Sequence, residues 1–274
     1  MSRRGAPFAV WTLYALDALA ILVTYSRVPP HELYHVSHSG LAGGASRTLV
    51  FLNFSTALAA IAVLAVAGRG FPAVVAGGLC AVVAWPGVVD QADLDARWIN
   101  AVPALGVALA LVLTLRAGPP PASPRGDKLR VALAAMLALG AIPWLAAELG
   151  FHWGAGVFLS GQLRTQPGNP VPHPAVHLGH HHGLDGTLLV LTALLLSRIP
   201  TRRTLASLWL AGLVSYGLVN YANDIWLEQV VKRGWTSWAI PNALNPGLSW
   251  IWLVILGGAF ALWPVLRRGA ITMG

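Results

Sequence analysis

Apolar residues run on for about 18 or more positions again and again along this chain, and no other feature constrains its fold as strongly. Such runs lie near residues 6–26, 46–67, 71–89, 99–116, 129–149, 184–199, 204–226 and 247–266. Most are about long enough to cross a ~30 Å hydrocarbon core at ~1.5 Å per residue. The run over 184–199 is short, and its helix is predicted to begin inside the preceding loop. Gly77, Gly78 and Pro86 predict a kink or close packing in the third run. A soluble domain devotes roughly 25% of its residues to charge. This chain devotes 10%, against 56% hydrophobic residues, so it lacks the groups to solvate its own surface. The sequence predicts an all-α fold: a polytopic membrane helix bundle of about eight transmembrane helices, with the lipid bilayer as its first partner. The stretch from Met1 to Ser26 is read as a retained first helix rather than a signal peptide, because its apolar part exceeds a typical h-region.

The net charge of +8 does not indicate nucleic acid, because the basic residues sit in short loops between apolar runs. With the N-terminus inside, the inner segments carry Arg3, Arg4, Arg69, Arg116, Arg125, Lys128, Arg130, Arg198, Arg202, Arg203, Arg267 and Arg268, which is 12 of the 18 basic residues. The positive-inside bias predicts a multi-pass protein of the cell membrane with both termini cytoplasmic. Cys80, the only cysteine, lies in an apolar run, so no intrachain disulfide forms. The proline-rich segment 117–128 divides the chain into an N-terminal four-helix half, 1–116, and a C-terminal four-helix half, 129–274. The halves have parallel layouts with slight residue identity, so an internal duplication and an independent origin both stay open.

Chemistry concentrates in the histidines, all nine of which fall on the predicted extracytoplasmic face. The first cluster is Pro29-Pro30-His31-Glu32-Leu33-Tyr34-His35-Val36-Ser37-His38. A short helix starting near Pro30 would stack His31 and His35 one turn apart, with His38 close to that line. Two imidazoles at i and i+4 suit one zinc ion, and the intervening Glu32 suits a general base for metal-bound water. A shuffled chain of this composition would contain HExxH only about 0.003 times. The alternative is an interfacial helix whose histidines face water and lipid headgroups.

Six of the nine histidines lie between His152 and His182. If the chain is helical after Pro174, then His177, His181 and Asp185 align at i, i+4 and i+8, with His180 adjacent. Imidazoles with a carboxylate suit Zn²⁺, with Fe²⁺ or Cu²⁺ as alternatives. The competing reading is a hydrated, pH-sensitive loop that binds metal only incidentally.

Other ionisable groups read as structural. Asp17 lies near the middle of the first run, where it could satisfy a polar group of a neighbouring helix. Glu148 could hold a histidine tautomer. Asn220, Asn223, Asp224 and Glu228 form a polar end to the seventh run. Trp144, Trp153, Trp226, Trp235, Trp238, Trp250 and Trp252 fit the aromatic belt of a membrane interface.

HELYH at 31–35 with Leu184-Asp185-Gly186 further along resembles the site-2-protease-like membrane zinc metalloproteases. The resemblance covers those two short motifs. It implies His31, His35 and Asp185 as zinc ligands and Glu32 as the base. The spacing of His177, His180 and His181 is also similar to that in membrane di-iron hydroxylases and desaturases, which would imply iron. The expectation that follows is a metal-dependent membrane hydrolase acting on a peptide or lipid embedded in the membrane. Its outward-facing centre would draw on His31, His35, His38, His177, His180, His181 and Asp185. A metal-binding or metal-transport protein, and a non-enzymatic membrane protein, are the alternatives. For a transporter, the inner halves of the runs looked almost bare of polar groups apart from Asp17.

Overall fold

A computed structural model describes residues 5–27, 37–90, 95–117, 128–148, 163–166, 169–174, 182–199, 204–244 and 247–268. Within these, the regular structure is helical apart from one two-stranded antiparallel sheet. In chain order the long helical segments are α1 (Ala6–Arg27), α2 (Gly40–Ala67), α3 (Gly70–Ala84), α4 (Trp98–Ala117), α5 (Lys128–Glu148), α6 (His182–Leu196), α7 (Thr204–Val231) and α8 (Ile251–Arg268). Four of them, α1, α2, α4 and α7, are long and apolar enough to cross a membrane by length and composition. The others are apolar over shorter stretches. This is a helical protein of membrane type, and each helix overlaps one of the apolar runs.

Local chemistry explains the boundaries. α2 and α3 are joined by Gly68-Arg69-Gly70, where Gly70 adopts φ of 71°, a left-handed conformation that costs a side-chain-bearing residue. Between Phe51 and Ala57, α2 opens into a π-helical turn over Leu52–Thr56. Asn53 accounts for its persistence. The Asn53 amide donates to the Leu49 carbonyl and to the Asn100 carbonyl, both at 2.8 Å, while Asn100 Nδ2 donates to Asn53 Oδ1 at 3.2 Å. Both asparagines are buried, so this exchange joins α2 to α4 where no water competes.

The strands β1 (Leu163–Gln166) and β2 (Asn169–Pro174) pair antiparallel, with Arg164 opposite His173 in the register.

Two helices sit at the centre. α2 packs against α1, α3, α4, α6 and α7, and α6 packs against α1, α2, α5 and α7. The groups on either side of 117–128 therefore share one core. Small residues allow the closest approaches: Gly44 lies against Ser26 and Leu22 of α1, and Gly106 of α4 lies against Cys80 of α3. Gly186 and Gly217 bring the backbones of α6 and α7 together. The outer faces carry exposed Leu105, Val131, Leu139, Leu253 and Phe260, as expected of a surface solvated by hydrocarbon rather than water.

The depth at which α6 starts matters most for the site. Its first turn lies beside residues of its neighbours that stand well inside their ends. The Gly183 amide donates to Asp224 Oδ2 at 3.1 Å, and α7 continues seven residues beyond Asp224, about 10 Å of helix. Ser55, which bonds Asp185, is fifteen residues from the start of α2, about 22 Å along its axis. The first described turn of α6 thus lies within the bundle. The apolar run predicted it to begin inside the preceding loop; in the structure that starting point lies at mid-depth.

Candidate functional site

The first turn of α6 carries Asp185 into a pocket of polar side chains from three helices. Asp185 is 4% exposed, and its Oδ1 accepts a hydrogen bond of 2.7 Å from Ser55 Oγ on α2. The π-helical turn contributes here, since the widened backbone lies immediately around Ser55. From α1, Tyr14 and Asp17 complete the group. Tyr14 is 2% and Asp17 5% exposed, and both lie within electrostatic reach of Asp185. From α6 itself, two turns below Asp185, comes Thr192, which is fully buried.

Several of these groups are unsatisfied. Both carboxylate oxygens of Asp17, the Tyr14 hydroxyl and the Thr192 hydroxyl are buried with no hydrogen-bond partner. The Tyr14 hydroxyl lies near those of Ser55 and Thr192 without bonding either. Most buried polar atoms in folded proteins find partners, so these four stand out. Arg47 of α2 supplies the local positive charge. It is buried, its guanidinium lies 5.6 Å from the Tyr25 ring centroid, and Asp17 feels its charge.

The polar end of α7 has a different character. Asn220 Nδ2 donates to the Tyr216 carbonyl at 3.0 Å and Asn223 Nδ2 to the Ile240 carbonyl at 2.7 Å. Asp224 accepts from Gly183, and Glu228 pairs with Lys232 at 2.5 Å. These groups fix backbone segments, in keeping with their structural reading.

Of the residues proposed for the metal centre, His31, Glu32, His35, His177, His180 and His181 lie outside the described residues, as does His152. Glu148 lies in α5, whose terminal side chains are likewise outside the description. His38 and Asp185 are described, and they are not brought together. His38 is exposed, two residues before α2 begins, whereas Asp185 is buried beside Ser55. About 22 Å of helix separates those two levels. Among the described residues, no three His, Cys, Asp or Glu side chains gather as a metal would require.

Asp17 departs from its expected role. It satisfies no polar group of a neighbouring helix; its oxygens accept nothing. The bundle interior is also less bare than the sequence suggested, because Tyr14, Ser55 and Thr192 surround the two acids. Only the depth of Asp17 in an apolar run pointed to this place, and hydroxyl residues scattered over three runs gave no sign of meeting.

Compared with protein-family models, curated proteins and solved structures, the chain matches none.

Proposed function

We propose that this chain is an eight-span protein of the cell membrane, both termini cytoplasmic, that binds a transition metal at its opposite face through its histidine-rich segments. In this reading it hydrolyses a peptide or lipid held at the membrane. Eight apolar helices matching eight apolar runs, and the basic bias of one set of loops, support the topology. The observation that carries the function is the HELYH spacing, located in the segment between the ends of the packed pair α1 and α2. A catalytic centre at the end of a bundle can meet substrates that lie along the membrane surface.

Zinc, or iron or copper in its stead, would be held by His31 and His35, with His38 and the second cluster as further donors. Bound there, the metal would supply an activated water, and Glu32 is the residue positioned by sequence to take its proton. Asp185 is buried, bonded to Ser55 and set apart from His38, so these two residues do not share one metal.

Metal content by mass spectrometry on detergent-purified protein tests the proposal. Near-stoichiometric zinc or iron is expected in the wild type and lost in both His35→Ala and His181→Ala. Glu32→Gln is expected to keep the metal and lose hydrolysis of membrane-embedded peptide or lipid substrates. Metal that survives both histidine changes, or that is missing from protein purified without chelator, refutes the reading. Metal loss in the histidine variants without hydrolysis in the wild type leaves the metal-binding or metal-transport alternative. That alternative gains support from the carboxylates inside the bundle.

A further inference from the structure

A groove of about 960 Å³ lies between α2, α7 and α8, and no step of the proposed hydrolysis uses it. We propose that it binds one anionic phospholipid, with the acyl tail in the groove and the phosphate at the arginines beside its mouth.

The three helices run in register along the groove. At one end Phe54 of α2 meets the Tyr216 ring of α7 edge to face, centroids 6.2 Å apart, and Tyr216 stacks on Trp252 of α8 at 5.8 Å. Two turns back along α7, the Trp209 indole donates to the Leu58 carbonyl at 3.4 Å. Trp263 of α8 donates to Ser207 at 2.9 Å. The groove ends at Thr204, the first residue of α7. From Tyr216 to Thr204 is about 18 Å of helix, close to the ~15 Å of hydrocarbon in one leaflet, half of a ~30 Å core. Beyond Tyr216, α7 continues to Val231, so the groove stops near the middle of that helix.

The two ends differ in kind. At the Tyr216 end, Val83, Ala243 and Leu244 are buried and close the groove, and the Tyr216 hydroxyl is committed to the Ala243 carbonyl at 3.1 Å. A spanning helix of another protein has no way through that wall, whereas a lipid tail that stops at mid-bilayer needs none. At the other end Thr204 and Leu205 are exposed, and the exposed Leu256 and Phe260 carry the apolar lining out to the lipid-facing surface.

Charge selects the headgroup. The α8 wall leads through Trp263 to Arg267, whose exposed guanidinium lies 5.5 Å from the Trp263 ring centroid. The α2 wall leads through Ala65 to the exposed Arg69, four residues on. Neither arginine pairs with an acid among the described residues, and residues 57–84, 204–223 and 251–268 contain no Asp or Glu. Two arginines beside an apolar groove suit a phosphate on an acyl tail, because guanidinium binds phosphate in a fork and basic pockets between membrane helices collect anionic headgroups.

The test uses the full chain, delipidated in detergent, with dioleoylphosphatidylglycerol or dioleoylphosphatidylcholine added and bound lipid counted by native mass spectrometry. One phosphatidylglycerol per chain is expected, held more tightly than phosphatidylcholine. Arg69→Gln and Arg267→Gln should each weaken phosphatidylglycerol about fivefold and leave phosphatidylcholine unchanged. Arg233→Gln, beyond the far end of α7, should change neither. Gly212 lines the groove with nothing within 4 Å of its would-be Cβ, so Gly212→Leu fills the groove without a clash and should weaken both lipids. Its unfolding midpoint without lipid checks that it folds, and Ala65→Leu on the opposite wall serves if it does not. Equal retention of the two lipids by the wild type overturns the proposal, as does a headgroup preference that survives both arginine changes. Tight phosphatidylglycerol binding in the groove-filling variant also overturns it. A dimer in detergent that Gly212→Leu converts to monomer assigns the groove to a second copy and overturns it too. His35→Ala should retain the lipid, so failure here is distinguishable from failure of the metal reading.

Discussion

Replacing Gly217 by alanine tests the α6–α7 contact that positions the pocket. A Cβ at Gly217 would stand 2.5 Å from the Gly186 carbonyl oxygen, 2.8 Å from Val190 Cγ2 and 3.3 Å from the Val190 amide nitrogen. Two of these neighbours are backbone, which cannot rotate aside, so α6 must move by most of an ångström. Overpacking of this kind costs about 1–3 kcal/mol. The shift also strains the bond from the Gly183 amide to Asp224, a buried hydrogen bond to a charge worth about 1.5–3 kcal/mol. Alanine returns up to ~1 kcal/mol of helix propensity. The net loss is about 3 kcal/mol, or about 6–12 °C in unfolding midpoint for a protein of this size. Gly212, five residues earlier on the same helix, has nothing within 4 Å of its would-be Cβ. Gly212→Ala should therefore unfold at or slightly above the wild-type temperature. Differential scanning fluorimetry on the 12 intrinsic tryptophans reads both variants without a label. Midpoints within a degree of each other would refute the close crossing and, with it, the depth assigned to Asp185.

Three further outcomes follow from named contacts. Asn100→Ala should cost about 2–3 kcal/mol in thermal unfolding, because it strips partners from buried Asn53 Oδ1 and from the Arg97 amide, 2.6 Å from Asn100 Oδ1. Thr192→Val should be neutral or up to ~1 kcal/mol more stable, since it removes a buried hydroxyl that bonds nothing. A destabilised Thr192→Val would mean that the hydroxyl has a partner within the protein. Gly258→Ala on α8 should cost less than Gly217→Ala, because its nearest neighbour is the Ser215 Oγ, a side-chain atom that can rotate; equal losses in the same scan would count against that distinction.

The helices were legible in the sequence because lipid imposes a simple rule. A spanning segment must satisfy its backbone internally and present apolar side chains, and that pattern is written locally, residue after residue. Hence α1, α4 and α8 fall within a few residues of the apolar runs that announce them. The start of α6 was harder. Leu184 onward reads as apolar, but the depth of the first turn depends on Gly186 meeting Gly217 and on Asp224 reaching Gly183, contacts between residues some thirty or forty positions apart. The π-helical turn of α2 depends likewise on Asn100, forty-seven residues away. Asp17 stood out because an ionisable group deep in an apolar run is costly, but nothing local told what it meets.

The histidines illustrate the opposite hazard. Their spacing is conspicuous along the chain, and Asp185 follows the second cluster closely enough to join its ligand set. Helix α6 carries that carboxylate to Ser55, near Tyr14 and Asp17, while His38 stays exposed just before α2; the other histidines of the expected set lie outside the described residues. The first turn of this helix puts successive residues in different surroundings. His182 is partly exposed, and three residues later Asp185 is enclosed. A carboxylate placed so deep gains nothing from bulk water, so its neighbours must provide what solvation would have supplied. Ser55 provides one hydrogen bond, and Arg47 supplies a charge within reach of Asp17.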